Sequence, residues 1–193
     1  MKHILFTPDT PSIDTARASF ISIGCDMPDF VLADDLNRLY SLGLSRVDDL
    51  PVSGEFASST LLTPNSPVTS SWPLYKGVNT VRQLDYYLVC LNGTGLGYLL
   101  IIRGSEAAAN VANAISDEFN GQGAEPQPDD MPAVARNEIM QRYRQGFTVV
   151  SVVALSDEDI SRSERASRRP LKGRPMLADL YSRILDAIDN AGL

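Results

Sequence analysis

Six cations crowd into fourteen residues toward the C-terminal end of this chain. Between Ser161 and Arg174 stand Arg162, Arg165, Arg168, Arg169, Lys172 and Arg174, with Glu164 the sole acid. Arginine presents a planar fork of donors that fits the oxygens of phosphate or carboxylate two at a time, so such a run could clamp an anion. Arg162, Arg165 and Arg169 fall at steps of three and four and share a face if a helix continues past Ser161. The island carries +5 in a chain of net charge −7, which leaves −12 for everything outside it. Charge segregated in this way predicts contact with an acidic protein surface, with a phosphate, or with solvent and the chain's own excess acids. No aromatic residue is interleaved with the arginines, which argues against stacking on single-stranded nucleic acid.

The remaining chemical candidates read more simply as structure. Gly93-Thr94-Gly95-Leu96-Gly97 has the look of a phosphate loop, but a dinucleotide fingerprint must open a helix, and YLLIIR after it is strand. His3 is the single histidine, so any Ser-His-Asp or Cys-His apparatus would depend on it, yet it begins a predicted strand. The ILFTPDT start is similar in spacing to the Asp-x-Asp-x-Thr motif of haloacid-dehalogenase phosphatases. Thr7 stands where that motif places its nucleophilic aspartate, and Asp9 and Thr10 are read as turn residues. Cys25 and Cys90 are far apart in sequence and have no His or carboxylate at metal-ligand spacing, so they are read as two reduced, buried thiols. The acidic pairs Asp34-Asp35, Asp48-Asp49 and Asp129-Asp130 sit at expected helix starts and turns, where capping accounts for them. Neither a catalytic residue, a cofactor nor a metal is assigned.

The elements that must carry these residues follow from periodicity. A strand over 3–7 leads to a Pro-rich turn and then a helix with Ile13, Ala16, Phe20 and Ile23 on one face, stopped by Gly24. Residues 28–33 read as a second strand, with Asp34 or Asp35 capping a helix through Leu42 and with Gly43 and Leu44 completing a Schellman-type end. One further helical turn is expected over 45–50. Residues 51–79, rich in Ser, Thr and Pro, read as a long loop holding Trp72 and Tyr75, the two aromatic candidates for a partner contact. A lone loop tryptophan such as Trp72 is more often an anchor folded back on its own domain than a binding hot spot.

Residues 80–91 and 96–103 form the clearest unit, a β-hairpin around Asn92-Gly93. Helices follow over 105–119 and from Asp130 or Pro132 to Gly146, the latter with Ala135, Ile139 and Tyr143 on one face. Phe147–Leu155, a continuous β-branched run, predicts a central strand covered on both faces. Ser156 to Asp159 opens a helix into the basic island, which Pro170 and Gly173 break. Pro175 starts the last helix, striped with Leu177, Leu180, Tyr181, Ile184, Leu185 and Ile188.

At 193 residues and 44% hydrophobic composition, the chain is expected to fold as one globular domain over 1–193. The expected class is α/β, with α+β the alternative: a single mixed sheet around the hairpin, flanked by about five to six helices. No apolar run is long enough for a membrane span, and the N-terminus lacks a secretory signal pattern, so an intracellular protein, or one built into a particle, is expected. The acidic balance makes nucleic acid an improbable partner. The functional expectation is a non-enzymatic assembly or interaction protein, acting on a protein partner or on itself, such as a virion or secretion-machine component. The alternatives are an acidic inhibitor, chaperone or immunity-type protein that occludes its partner, and an enzyme or binding protein that holds a phosphorylated ligand with the arginines of 162–174.

Overall fold

The computed structural model describes residues 18–53, 69–91, 94–105, 107–121, 132–146, 148–155 and 173–193. Strand β1 (Ala18–Gly24) is followed by helix α1 (Asp29–Tyr40), the two-residue β2 (Ser45–Arg46), and β3 (Leu50–Ser53). Next come β4 (Thr69–Trp72), β5 (Leu74–Asn79), β6 (Leu84–Cys90) and β7 (Tyr98–Gly104). Helices α2 (Ala107–Phe119) and α3 (Ala133–Gln145), strand β8 (Val149–Val153) and helix α4 (Arg174–Asn190) complete the described chain. Six strands form one sheet in the order β2-β5-β6-β7-β1-β8, with every neighbouring pair antiparallel. A separate two-stranded sheet pairs β3 with β4. Mixed α/β architecture is as expected. The expected single mixed sheet is instead two antiparallel ones, and four helices stand among the described residues.

The hairpin of β6 and β7 sets the layering. Alternate side chains of a strand point to opposite faces, and here both faces are apolar. Leu84, Tyr86, Leu88, Cys90, Tyr98, Leu100 and Ile102 join Ile21 and Ile23 in a core under α1, α2 and α3. Tyr87, Val89, Leu99 and Ile101 join Phe20 in a second core under α4 and the β3–β4 sheet. The stripe on α4 is therefore core, with the Tyr181 ring stacked on Phe20 at 5.1 Å between centroids.

Several local expectations are overturned. Residues 18–24 are strand, because Phe20 and Ile21 face opposite cores and the pattern alternates rather than following a helical stripe. Residues 29–40 are one helix begun by Pro28, whose carbonyl receives Val31 N and Leu32 N at 3.0 Å; the expected strand over 28–33 and the caps at Asp34 or Asp35 do not exist. That helix ends at Ser41, with φ 53°, ahead of Gly43. Asn37 then pins the exit by donating to the Leu44 carbonyl at 2.8 Å and accepting from Leu44 N at 2.6 Å. Residues 45–46 and 50 are strand, not a helical turn. Residues 69–79 also pair, with Pro73 marking the switch from the small sheet to the large one and its carbonyl accepting from Cys90 N at 3.0 Å.

Strand β8 is not central. Among the described residues it pairs with β1 alone, and Val149 is 66% exposed. A run of β-branched residues signals a strand but says nothing about how many neighbours the topology supplies. The expected strand over 3–7 and the expected helix into the island lie outside the described residues. No helix among the described residues is long and apolar enough to cross a membrane.

Gly97 shows how tightly the central strands are drawn together. It has φ +76°, and a Cβ placed on it would lie 2.5 Å from the Ile23 carbonyl oxygen. Gly95 has φ +74° with open space around it. Gly95→Ala is therefore expected to cost about 1–2 kcal/mol from its left-handed backbone alone. Gly97→Ala adds a collision with backbone and should cost at least about 3 kcal/mol. Urea denaturation of the two variants tests this; equal losses would mean that the close approach to β1 contributes nothing.

Candidate functional site

Five of the eight residues proposed from sequence as contacts, Arg162, Arg165, Arg168, Arg169 and Lys172, lie outside the described residues, as do His3 and Asp129-Asp130. Arg174 is described: it is the first residue of α4, exposed, and follows Gly173 with φ +65°. Trp72 ends β4 opposite Leu50 and is 2% exposed in the second core, the position of an anchor folded back on its own domain. Tyr75 lies in β5 and is also buried, with the Arg46 guanidinium 5.6 Å above its ring.

The glycine-rich turn leads straight into β7, so its glycines serve a hairpin and a close backbone approach. Where sequence reading separated Cys25 from Cys90, the sheet draws them toward the same tyrosine. Cys90 and Ile23 flank Tyr98 in one row across β6, β7 and β1. Cys25 follows the end of β1, and its group interacts electrostatically with both Cys90 and Tyr98. Tyr98 OH donates to the Met27 carbonyl, at the approach to α1. Asp29 lies beside Tyr75, and Arg46 ion-pairs with Asp49, so acids, thiols and phenols gather at this end of the sheet.

Their protonation decides what this cluster can do. Burial pushes both thiols above the ordinary thiol value, with acidic neighbours adding to the effect. A catalytic thiol is shifted the other way, toward the thiolate. Burial also raises Tyr98, Tyr75, Tyr86 and Tyr87. All are neutral at neutral pH, suited to packing and hydrogen bonding. Both cysteines are free. Among the described residues no group of three His, Cys, Asp or Glu side chains could hold a metal. A shallow groove of about 540 Å³ opens between Arg46–Pro51 and Ala191–Leu193, where Asp48, Asp49 and Arg46 meet Leu50 and Leu193.

A second polar group, invisible to local sequence reading, lies under the three helices. Arg136 of α3 donates through Nε and Nη2 to the two oxygens of Glu118 on α2, at 2.7 and 2.5 Å. Its Nη1 donates to the Leu39 carbonyl at 3.0 Å, one of the last carbonyls of α1 that the helix itself leaves unpaired. The same guanidinium lies 5.5 Å from the Tyr40 ring centroid. The Tyr40 hydroxyl is buried beside Glu118 without a hydrogen bond of ordinary geometry, and burial first, then that carboxylate, raises its pKa. Two turns along α3, Arg142 and the Tyr143 hydroxyl donate to Asp35 of α1 at 2.8 and 2.9 Å. Asp35 is 2% exposed, so it is an anchor of α3 and not a cap. Among the described residues each of these carboxylates is occupied by the donors just named.

No protein-family model matches the chain, and neither curated proteins nor solved structures give a match.

Two measurements follow. Arg136→Met leaves Glu118 buried without its partner and is expected to cost about 3–5 kcal/mol, whereas adding Glu118→Leu should recover most of that loss. Urea midpoints decide; a double variant no better than the single would mean that packing of the arginine stem, and not charge, dominates. The second concerns pH. Thiols and phenols whose pKa is raised in the fold hold their protons longer than in the unfolded chain, so they contribute stability that is intact below their unfolded values. That stability is lost as pH climbs from the ordinary thiol value of 9.0 through the phenol value of 10.0 toward Tyr181, which is pushed up to about 12. The urea midpoint should stay level up to about pH 8 and fall above about pH 9. A midpoint that holds or rises through that window would contradict it.

Proposed function

We propose that this protein is a non-enzymatic assembly or interaction component that works through protein–protein contacts, with itself or with a protein partner, inside a larger complex such as a virion or a secretion machine. The observation that carries the reading is the outer edge of β8. Natural sheets blunt their edges with charge, proline, bulges, very short strands or a covering helix or loop. Strand β8 itself carries no charge, proline or bulge, and among the described residues the Asn120 side chain of α2 reaches one of its carbonyls. No residue from Phe147 to Leu155 carries a charge, and Val149 and Val152 are exposed. Further large apolar side chains stand exposed at Phe30, Val81 and Val134. The raised thiols and phenols at the sheet end support the same reading, since they favour packing over nucleophilic chemistry.

The arginine-rich segment over 161–174 supplies a second contact element, opposite in charge to the acidic remainder of the chain. Its arginines suit an acidic protein surface, another copy of this chain included. The apolar edge and the basic segment respond differently to salt, because ionic contacts between exposed groups are screened and apolar burial is not.

Light scattering on the eluting purified protein, at about 0.05 M and 0.5 M salt, separates the two contributions. The expected result is a mass above that of one chain, with the share held by the arginines lost at high salt. A single-chain mass at every salt and concentration, together with stabilisation by phosphorylated metabolites that vanishes in Arg168→Ala plus Arg169→Ala, would replace this reading with that of a phosphate-binding protein.

A further inference from the structure

The two edges of the large sheet are built differently. At one edge β2 has two residues, and Arg46 covers the backbone there by donating to the carbonyls of Val47 and Leu74 while pairing with Asp49. At the other, β8 presents five residues with no strand beyond them among the described residues. Asn120 Nδ2 donates to the Val150 carbonyl at 3.0 Å, and that oxygen keeps a second lone pair.

The sequence of β8, Val149-Val150-Ser151-Val152-Val153, is a palindrome about Ser151. An antiparallel partner of identical sequence, related by a two-fold axis through Ser151, therefore sets valine against valine at every flanking position. Val149 falls opposite Val153 of the second copy, Val150 opposite Val152, and Ser151 opposite its own counterpart. A two-fold axis normal to the sheet keeps each side chain on its own face. Val149, 66% exposed, then meets the partner's equivalent of a half-buried valine, and Val152, 36% exposed, meets that of a buried one. The strand itself brings no charge to be desolvated, which matters in a chain of net charge −7 whose copies otherwise repel.

We infer that the outer edge of β8 binds a second copy of this chain, β8 against β8 and antiparallel about Ser151. The inference rests on the contact-based function proposed above and names its partner and surface. Two six-stranded sheets then run on as one of twelve strands. The blunted β2 edge ends that sheet on both sides, so the contact closes as an isologous dimer instead of propagating into a fibre.

Directly opposed residues in an antiparallel pair have Cβ atoms about 4.5–5.5 Å apart, within reach of a disulfide after small adjustment. Ser151 is exposed, so Ser151→Cys leaves the core alone. Under mild oxidation this variant should run mostly as a covalent dimer on a non-reducing gel. The wild-type chain, whose two cysteines lie in or against the first core, should not. Val149→Cys should not either, since its own counterpart lies about four residues, or roughly 13 Å, along the pair. Ser151→Lys sets two ammonium groups face to face and should weaken self-association about tenfold, read by light scattering against concentration. Ser151→Cys and Val149→Cys cross-linking equally, or neither cross-linking, would overturn the inference. So would a Ser151→Lys variant that associates as the wild type does. If the wild type still exceeds one chain's mass in those cases, the contact-based function stands and a different surface carries it. A single-chain mass throughout removes the β8 contact, and the contact-based function then falls only with the phosphate-binding result given above.

Discussion

A strand that is apolar on both faces cannot be left at a surface, and β6 and β7 are two such strands side by side. Leu88 and Leu100 point into one core while Val89 and Leu99 point into the other. Most of the described fold answers that requirement. Helices α1 and α2 close the first face, α4 and the small β3–β4 sheet close the second, and β1 and β5 extend the hairpin sideways so that both covers have something to rest on. The hydrophobic term behind this is large, roughly 1.5–3 kcal/mol for each fully buried aliphatic or aromatic side chain. Removing either cover would expose a full row of such side chains.

Helix α3 is attached on different terms. Its apolar contribution is Ile139, Met140 and the ring of Tyr143, set among arginines. Much of what holds it in register is polar: Arg136 reaches a carboxylate on α2 and a helix-end carbonyl on α1, and Arg142 with Tyr143 reaches Asp35. Ionic groups of this kind add less net stability than a well-packed apolar contact, because each charge must first leave water. They are selective about geometry, however, and Arg136 fits one arrangement of three helices.

The β6–β7 hairpin, α2, α3 and α4 were legible from sequence because each carries its own punctuation: a Gly-rich turn, Pro at a helix start, Gly or a breaker at the end. Elements whose punctuation was ambiguous were not. Around β1 the sequence spacing of Ala16, Phe20 and Ile23 mimics a helical stripe, and the ladder of residues 18–24 to β7 and β8 is what makes that segment strand. In α1 the run PDFVLA is apolar enough to pass for a strand, while Leu32, Leu36 and Leu39 carry the helical period that decides the matter. The ion pairs of Asp35 and Glu118 span roughly a hundred and roughly twenty residues respectively, and no local pattern announces them. The expected contact residues divided in a similar way: Trp72 and Tyr75, expected as aromatic contacts to a partner, are packed into the protein's own interior.

Trp72 has one more consequence. It is the single tryptophan of the chain, and it sits at the seam between the small sheet and α4, on the side of the large sheet away from α1, α2 and α3. The other core holds most of the tyrosines, among them Tyr86, Tyr98 and Tyr143, with Tyr87 and Tyr181 on the Trp72 side. The molecule is therefore spectroscopically two-coloured: indole emission reports on one layer, phenol absorbance largely on the other. If the two layers ever loosen at different moments, they will do so under separate optical labels that the sequence already provides.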